Sequence, residues 1–305
     1  MALQPIVFFG SSPFSIIVLN RILNTEHRIS AVITTEDKPV GRHLKLTPNP
    51  VKVLAEKNNI PVYTSLLSFP SPMSNGVRDE KLEKFLDVGE GAGGEVLGLV
   101  AAYGQIIKPE VLDQFHGQIY NIHPSLLPKY RGPSPLQQQI LDGVTDTGVT
   151  IIQLDAQMDH GPIVAVAHDN ILPDDTTQTL GNRLFEKGAE LFLNTSPLSF
   201  PSPMSNEVRD EKFEKFFDVG EGLGVRYTSQ DHSQATYTKK LTRQDGFLPW
   251  EEFNKLITSH DPTQNHHDPH LSRLFRAYFP WPGVWTLNPQ GKRVKLVSLN
   301  PLSVL

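Results

Sequence analysis

The chain has 305 residues, a formal net charge of −5, 20% charged residues and no cysteine. A chain of this length forms one large or two moderate domains, and its composition is that of a globular protein. The absence of cysteine excludes a disulfide scaffold, a thiolate zinc site and a cysteine nucleophile. The first residues lack the pattern of a secretory signal, and the longest apolar run, 96–103, is much shorter than the ~20 residues of a membrane helix. We therefore expect a soluble cytoplasmic protein without a membrane partner.

Basic residues are concentrated toward the C-terminus. Residues 226–305 contain ten Lys and Arg against six Asp and Glu, a local charge of +4, so the first 225 residues carry −9. This asymmetry allows the C-terminal part to contact a polyanion, but an ordinary fluctuation in charge explains it equally well. The charge distribution alone therefore does not identify a binding partner.

Strand and helix patterns alternate through the first 194 residues. Short apolar runs predict strands, and apolar residues at helical spacing predict helices. The predicted strands are 6–10, 28–33, 62–63, 97–102, 118–122, 149–154 and 163–167. The predicted helices are one from Pro13 onward and those at 50–57, 110–115, 134–141 and 178–193. This alternation predicts an α/β fold with a Rossmann-like, mostly parallel sheet that binds ligands at the carboxyl ends of its strands.

The pattern changes after the first 225 residues. A segment rich in Pro, His and Asp at 260–269 is typical of a loop, and strands are predicted at 284–287 and 293–297. Because a small closed barrel needs about five strands, we expect an apparently truncated, OB-like β-barrel here. The predicted domains are a catalytic domain at 1–194, a linker at 195–225 and a partial C-terminal domain at 226–305.

One segment occurs twice. Residues 67–93 recur as 198–224 with only four of the 27 positions changed. Solenoid repeats are numerous and contiguous, whereas these two copies are distant and nearly identical, so we interpret them as insertions in surface loops, each with one short helix. Glycines at 89–94 match a dinucleotide-binding pattern, but a charged segment precedes them and a strand follows, which disfavours a nucleotide site.

The residues best suited to chemistry follow the fifth predicted strand. Asn121 and His123 are two positions apart at its end, so their side chains project to the same side. An amide and an imidazole placed in this way can both donate hydrogen bonds to one developing oxyanion. Asp159, in a turn that ends a later strand, offers a carboxylate that could hold the imidazole and keep it charged. Taken alone, however, an Asn-x-His pair is more often a set of ordinary strand-end residues.

Several motifs in this order resemble those of the folate-dependent formyltransferases. The longest is Asn-Ile-His-Pro-Ser-Leu-Leu-Pro at 121–128, followed by Tyr-Arg-Gly and later by Asp-His-Gly at 159–161. The resemblance covers most of residues 5–194 and includes Phe-Phe-Gly at 8–10 and Ala-Tyr-Gly-Gln at 102–105. The members that formylate an aminoacylated tRNA are the most similar, because they resemble the chain also at 37–48, 235–246 and 279–285.

The resemblance implies a donor, an acceptor and a catalytic trio. The donor would be 10-formyltetrahydrofolate, and the acceptor would be the amino group of methionine esterified to initiator tRNA. Asn121 and protonated His123 would stabilise the oxyanion, while Asp159 would orient the imidazole and assist proton transfer. No metal or redox cofactor would be required. The implied folate contacts are Ser125, Leu126, Leu127 and Pro128, together with Tyr103, Gln105 and Ile107.

The resemblance also implies tRNA contacts and a monomeric protein. Arg42 and Lys45 would contact the tRNA from the loop after the second strand. Phosphate contacts are also expected from Lys239, Lys240 and Arg243 near the start of the C-terminal domain, and from Lys292, Arg293 and Lys295 in its terminal part.

Two other functions fit the same trio. The first is a formyltransferase whose acceptor is a small amine, such as glycinamide ribonucleotide or an amino sugar nucleotide, although such an enzyme does not need the loop at 42–48 or the segment at 235–285 in this form. The second is a remnant that binds without turnover, which the two inserted copies favour and the intact trio opposes. His266, His267 and His270 could suggest a metal site, but they occur in a segment that is typical of a loop.

Overall fold

A computed structural model describes residues 4–40, 45–64, 96–195, 227–258, 268–299 and 302–304. Both copies of the repeated segment, and the short helix predicted in each, lie outside these residues. Arg42, His266 and His267 lie outside them as well, and of Lys45 only the backbone is described.

The main sheet has seven strands in the order β5–β2–β1–β6–β7–β8–β9. Its strands are β1 (Ile6–Phe9), β2 (Ile29–Ile33), β5 (Val62–Tyr63), β6 (Leu97–Ala101), β7 (Ile119–His123), β8 (Asp146–Gln153) and β9 (Ile163–Asn170). The pairings from β5 to β7 are all parallel, whereas β7 and β8 are antiparallel. The predicted mostly parallel α/β sheet is therefore confirmed.

The helices of this region begin where the sequence provides capping residues. The side chain of Ser12 accepts a hydrogen bond from the backbone of the first turn of α1 (Pro13–Leu23), and that of Asn49 does the same for α2 (Pro50–Lys57). Each helix then has proline at its first position, where no intrahelical N–H bond is lost. The helices are α1 (Pro13–Leu23), α2 (Pro50–Lys57), α3 (Pro109–Leu112), α4 (Pro135–Asp142) and α5 (Thr177–Asn194).

The core beside β1, β6 and β7 is apolar and aromatic. Phe9 packs edge-on against Tyr103 at 5.8 Å and against Phe115 at 5.7 Å between ring centroids. Val7 lies in the same cluster because alternate residues of β1 face the same side of the sheet. This packing fixes the strand ends on which the candidate site is built.

The segment at 37–48, which the sequence suggested was a basic loop, contains a two-stranded hairpin. Strands β3 (Lys38–Val40) and β4 (Lys45–Thr47) pair antiparallel, with Val40 opposite Lys45. A three-residue strand is too short to produce a recognisable alternation of apolar and polar residues. This explains why the sequence did not predict the hairpin.

The C-terminal region contains helices that the sequence pattern did not predict. They are α6 (Trp250–Thr258) and α7 (Pro269–Tyr278). The segment at 260–269 was interpreted as a loop, but its end starts α7, because Asp268 accepts hydrogen bonds from the first-turn N–H groups and Pro269 occupies the first helical position. His270 therefore belongs to a helix.

The predicted terminal strands are confirmed, and a third strand joins them. β10 (Trp285–Leu287), β11 (Arg293–Leu299) and β12 (Leu302–Val304) form an antiparallel sheet in sequence order. In the described part of the C-terminal region, the β structure is thus a three-stranded sheet.

Two compact units are present in the chain. The first comprises Met1–His123, Thr150–Val166 and Phe185–Gln230, and the second comprises Pro124–Val149, Ala167–Leu184 and Asp231–Leu305. Strands β8 and β9 and helix α5 contribute residues to both units. Among the helices described, none combines the length and apolar character needed to cross a bilayer.

Candidate active site

The end of β7 carries two of the predicted catalytic side chains. Asn121 pairs with Val100 of β6 on one side and with Ile152 of β8 on the other, so its backbone is held from both sides. His123 lies two positions later and is only 4% exposed. Both side chains therefore project from an interior strand whose position is fixed by the sheet.

Asp159 lies close to both of these residues within the first unit. Its Oδ1 accepts a hydrogen bond from Asn121 Nδ2 at 3.3 Å and lies 3.6 Å from His123 Nδ1. The distance to His123 is that of an ion pair when the imidazole is protonated, and it exceeds hydrogen-bond length. The side chains of His123 and Asp159 are 5% and 11% exposed, so the pair is largely shielded from water. An amide, an imidazole and a carboxylate thus converge at the end of β7.

The turn that carries Asp159 has a demanding backbone geometry. Asp159 has a φ of +49°, in the left-handed region that non-glycine residues rarely adopt. A Cβ on Gly161 would lie 1.9 Å from the carbonyl oxygen of Gln153, so only glycine allows the turn to approach β8 this closely. Asp155 bonds within the same turn, accepting from Gln157 N–H at 2.9 Å and contacting His160 Nδ1 at 2.6 Å.

One contact of this turn was not predicted from the sequence. The buried side chain of Gln230 donates hydrogen bonds to the backbone oxygens of Asp159, at 2.9 Å, and Gly161, at 2.7 Å. Gln230 is 71 residues from Asp159 along the chain. A glutamine at the end of a long insertion-bearing segment has no periodicity or spacing that would have indicated this role.

The segment predicted to line the folate pocket combines buried and exposed residues. Tyr103 is buried, burial raises the pKa of its phenol, and its hydroxyl donates to Gln105 Oε1 at 3.2 Å. Ile107 packs against the apolar cluster around Tyr103. The exposed side chain in this set is that of Gln105. The residue before it, Gly104, has a φ of +74°.

The other predicted folate segment follows His123 directly in the chain and lies in the second unit. Ser125 is fully buried, and its hydroxyl donates to the carbonyl of Lys129 at 2.7 Å. Leu127 is buried and is joined to Pro128 by a cis peptide bond. Leu126 is partly exposed and lies against Gly148, where an added Cβ would come within 2.6 Å of its Cδ2.

Of the predicted tRNA-contact side chains that the structure describes, that of Lys295 is half-buried and the others are exposed. Lys239 forms an ion pair with Asp245 and is 73% exposed, and Lys240 is also exposed. The side chain of Arg243 is exposed, while its carbonyl accepts a hydrogen bond from Trp285 Nε1 at 3.0 Å. Farther along, Arg293 lies over the Trp285 ring at 4.5 Å from the centroid, which is a cation–π geometry.

Arg131, the arginine of the Tyr-Arg-Gly motif, is buried rather than exposed. It is 1% exposed and contacts the hydroxyl of Tyr237 at 3.2 Å and His232 Nδ1 at 2.8 Å. Its backbone also pairs with the segment around Tyr237, accepting from Thr238 N–H at 2.7 Å. Arg131 therefore attaches the start of the C-terminal region to the loop after β7, within the second unit. Across the described residues, no group of three or more His, Asp or Glu is arranged to hold a metal ion.

Comparison with known proteins assigns this chain to a family. The family model described as formyl transferase matches residues 4–195, so the chain belongs to the formyl transferase family and is an enzyme of formyl transfer. The N-formyltransferase of Helicobacter canadensis, solved with folinic acid and dTDP-3-aminofucose, has a TM-score of 0.54 at 16% identity, covering 97% of this chain and 88% of that one. That likeness shows a shared fold.

Curated relatives define the family more narrowly. The methionyl-tRNA formyltransferase of Chloroflexus aurantiacus is 35% identical over 281 residues, covering 92% of this chain and 75% of the relative. The enzyme of the same name from Thermus thermophilus is 34% identical over 298 residues, covering 97% and 80%. This chain therefore belongs to the methionyl-tRNA formyltransferase family.

Proposed function

We propose that this chain transfers the formyl group of 10-formyltetrahydrofolate to the free amino group of methionine esterified to initiator tRNA. The observation that carries the proposal is the convergence of three side chains at the end of β7. The Asp159 carboxylate lies 3.3 Å from the amide nitrogen of Asn121 and 3.6 Å from the imidazole of His123. The names of the curated relatives support the choice of acceptor.

The reaction needs a group that stabilises negative charge on the formyl oxygen. The amine attacks the formyl carbon, a C–N bond forms, and the carbonyl electrons move to the oxygen. Asn121 donates from its amide and His123 donates from a protonated ring nitrogen to that oxyanion. Because both side chains are held by β7 and mostly shielded from water, their dipoles need little rearrangement during the reaction.

Asp159 completes the proposed chemistry by holding charge and moving a proton. As a carboxylate it orients His123 and favours the imidazolium that the oxyanion requires. It also assists transfer of one proton from the attacking amine to N10 of the folate, the nitrogen that leaves when the original C–N bond breaks. The products are the formylated methionyl-tRNA and tetrahydrofolate, so atoms and charge balance without a metal or redox partner.

Two segments are proposed to contact the folate. The accessible groups are the Gln105 side chain, near the buried Tyr103 and the partly buried Ile107, and the partly exposed Leu126 and Pro128 after β7. Ser125 uses its hydroxyl for the Lys129 carbonyl, so we expect its backbone rather than its side chain to face the ligand. Leu127 contributes packing of this loop, since it is 7% exposed.

Contacts with the tRNA phosphates are proposed for exposed basic residues. Lys240 and Arg243 have exposed side chains, and Lys239, also exposed, forms an ion pair with Asp245. Arg42 and Lys45 are assigned to the same function by their place in the basic segment 37–48. Contacts of this kind fix the position of a nucleic acid without reading its sequence.

The decisive experiment measures transfer of a labelled formyl group from 10-formyltetrahydrofolate to charged initiator tRNA. Glycinamide ribonucleotide and an amino sugar nucleotide serve as competing acceptors in parallel reactions. We expect formylation of the tRNA and its loss in the Asn121→Ala and His123→Ala variants. Formylation of a small amine alone would contradict the tRNA assignment while keeping the chemistry. Binding of folate without any transfer would identify a non-catalytic remnant.

A further inference from the structure

The turn that carries Asp159 has to be held in place by other residues. A left-handed φ at an aspartate costs about 1–2 kcal/mol relative to the right-handed region. The carboxylate must also stay within reach of two different side chains, and its 3.6 Å distance to His123 already exceeds a hydrogen bond. A small displacement of this turn therefore changes the distances from the Asp159 carboxylate to the side chains of Asn121 and His123.

Gln230 makes the contact that restrains this turn. Its amide nitrogen donates to two carbonyl oxygens, those of Asp159 at 2.9 Å and Gly161 at 2.7 Å. A primary amide has two N–H groups, so one side chain satisfies both acceptors. Because Gln230 is 5% exposed, water does not readily replace these bonds if the side chain is removed.

The segment that carries Gln230 is itself attached to the strands of the site. Thr228 exchanges two backbone hydrogen bonds of 2.8 Å with Ile163 at the start of β9. Tyr227 contacts the hydroxyl of Tyr120 at 2.9 Å, and Tyr120 precedes Asn121 on β7. Gln230 thus links the Asp159 turn to the strand that bears Asn121 and His123, within the first unit.

We infer that Gln230 is a positioning residue that sets the distance of the Asp159 carboxylate from Asn121 and His123; this inference rests on the proposed function. Both hydrogen bonds described above run from the Gln230 side chain to backbone oxygens of the turn. Its role is to hold the backbone on both sides of His160. A misplacement of about 1 Å at a catalytic group can cost about 100-fold in rate.

The first test compares Gln230→Met, which keeps the approximate length of the side chain and removes both donors, with the unaltered enzyme. We expect kcat for formyl transfer to tRNA to fall by roughly 10- to 100-fold. KM for both substrates should stay within about twofold of the original value. Gln234→Met is the matched control, because Gln234 is an exposed glutamine of the neighbouring 3-10 turn, and it should keep the original kcat. An unchanged kcat in Gln230→Met, or a loss expressed entirely in KM, would overturn the inference.

A double-variant comparison separates positioning from general loss of structure. If Gln230 acts through Asp159, adding Gln230→Met to Asp159→Asn should lower kcat by less than about twofold, since coupled residues are not additive. An equal loss in both backgrounds would mean that Gln230 supports the enzyme generally, and the inference would be wrong.

A structure of Gln230→Met gives a readout that does not depend on activity. We expect the separation of Asn121 Nδ2 and Asp159 Oδ1 to lengthen from 3.3 Å. If it stays at that value, Gln230 does not position the carboxylate. Should the unaltered chain formylate no acceptor, the proposed function fails, while this measurement still decides whether Gln230 holds the Asp159 turn.

Discussion

The end of β7 and the basic segment at 239–243 use polar side chains in opposite ways. At β7, the side chains of His123 and Asp159 are 5% and 11% exposed and face each other. In the basic segment, Lys239 is 73% exposed, and Lys240 and Arg243 are exposed as well. The first arrangement concentrates interactions in a shielded space, whereas the second distributes charge over a surface in contact with water.

This difference predicts where substitutions have large effects. Interactions between shielded groups are strong because little water screens them, so each member of the trio should matter individually. Exposed ion pairs contribute little to stability on average. Several residues contact the phosphates, so each one accounts for only part of the binding free energy. If burial, rather than charge or residue type, decides the size of an effect, substitutions at shielded residues should cost more than substitutions at exposed residues of the same type.

The largest effect is expected for His123→Ala. Removal of one oxyanion donor typically lowers kcat by about 10²–10³-fold, or roughly 3–4 kcal/mol of transition-state stabilisation. Steady-state formylation assays at saturating folate and tRNA would measure it. As a control, His270→Ala replaces an exposed histidine at the start of α7 and should leave kcat within about twofold. A loss of similar size in both variants would contradict the expectation that shielded residues have the larger effects.

Arg131→Met tests the comparison with a basic residue that is buried. Its guanidinium contacts the Tyr237 hydroxyl and the His232 ring, and hydrogen bonds to charged groups contribute about 1.5–3 kcal/mol each to stability. We expect the free energy of unfolding to fall by at least the contribution of one such bond, about 1.5–3 kcal/mol. Urea titrations followed by circular dichroism would measure this loss. Arg243→Met, a substitution of an exposed arginine, should change it by less than about 0.5 kcal/mol. Equal losses would show that burial does not govern the effect.

Smaller effects on binding are expected for Lys240→Ala and Arg243→Ala. Each should raise KM for tRNA several-fold and leave kcat unchanged, because the residues contact phosphates and not the reacting atoms. If each neutralises one phosphate, the slope of log K against log salt concentration should decrease by about 1. Filter binding at several salt concentrations would measure the slope. Lys255→Ala, an exposed lysine of α6, should leave both quantities unchanged.

The smallest effect concerns the acid stability contributed by Asp245. Hydrogen bonds from Lys239 and Thr242 lower the pKa of this carboxyl from 3.8 to about 2. The carboxylate form therefore stabilises the fold above the ordinary pKa, and this stabilisation is lost as the pH falls through the range between these two values. Since Lys239 is 73% exposed, screening should keep the contribution below about 1 kcal/mol.

Melting temperatures of Asp245→Asn and the unaltered chain, measured between neutral pH and about pH 2, would test this contribution. We expect a constant small difference above the ordinary pKa and convergence in acid. A difference that persists without change to the lowest pH would contradict the assignment, since the neutral form of Asp245 would then stabilise as well as the charged one.

The sequence predicted the elements that follow simple local rules. β1 and β6 are continuous runs without polar side chains, as strands buried on both faces are. Helices α1 and α2 have a capping residue followed by proline. The candidate trio was found because its residues lie in motifs with distinctive spacing, and the assigned catalytic roles remain predictions.

Elements without such local signals were missed. α7 begins in a segment whose Pro, His and Asp content is typical of a loop, although Asp268 and Pro269 form a helix start. The β3–β4 hairpin has strands of three residues each, too short for a periodic pattern. Buried Arg131 belongs to a recognised motif, but its burial depends on partners about a hundred residues away, near Tyr237.

Local sequence thus determined the strand–helix alternation, the mostly parallel sheet, the pair Asn121 and His123 on one side of a strand, and the family to which these motifs belong. Tertiary structure decided the distance from Asp159 to that pair, the burial of Arg131 and the contact of Gln230 with the Asp159 turn. The reason is physical. Capping, periodicity and turn chemistry act over a few residues, whereas the position of a catalytic carboxylate depends on hydrogen bonds between segments that only folding brings together.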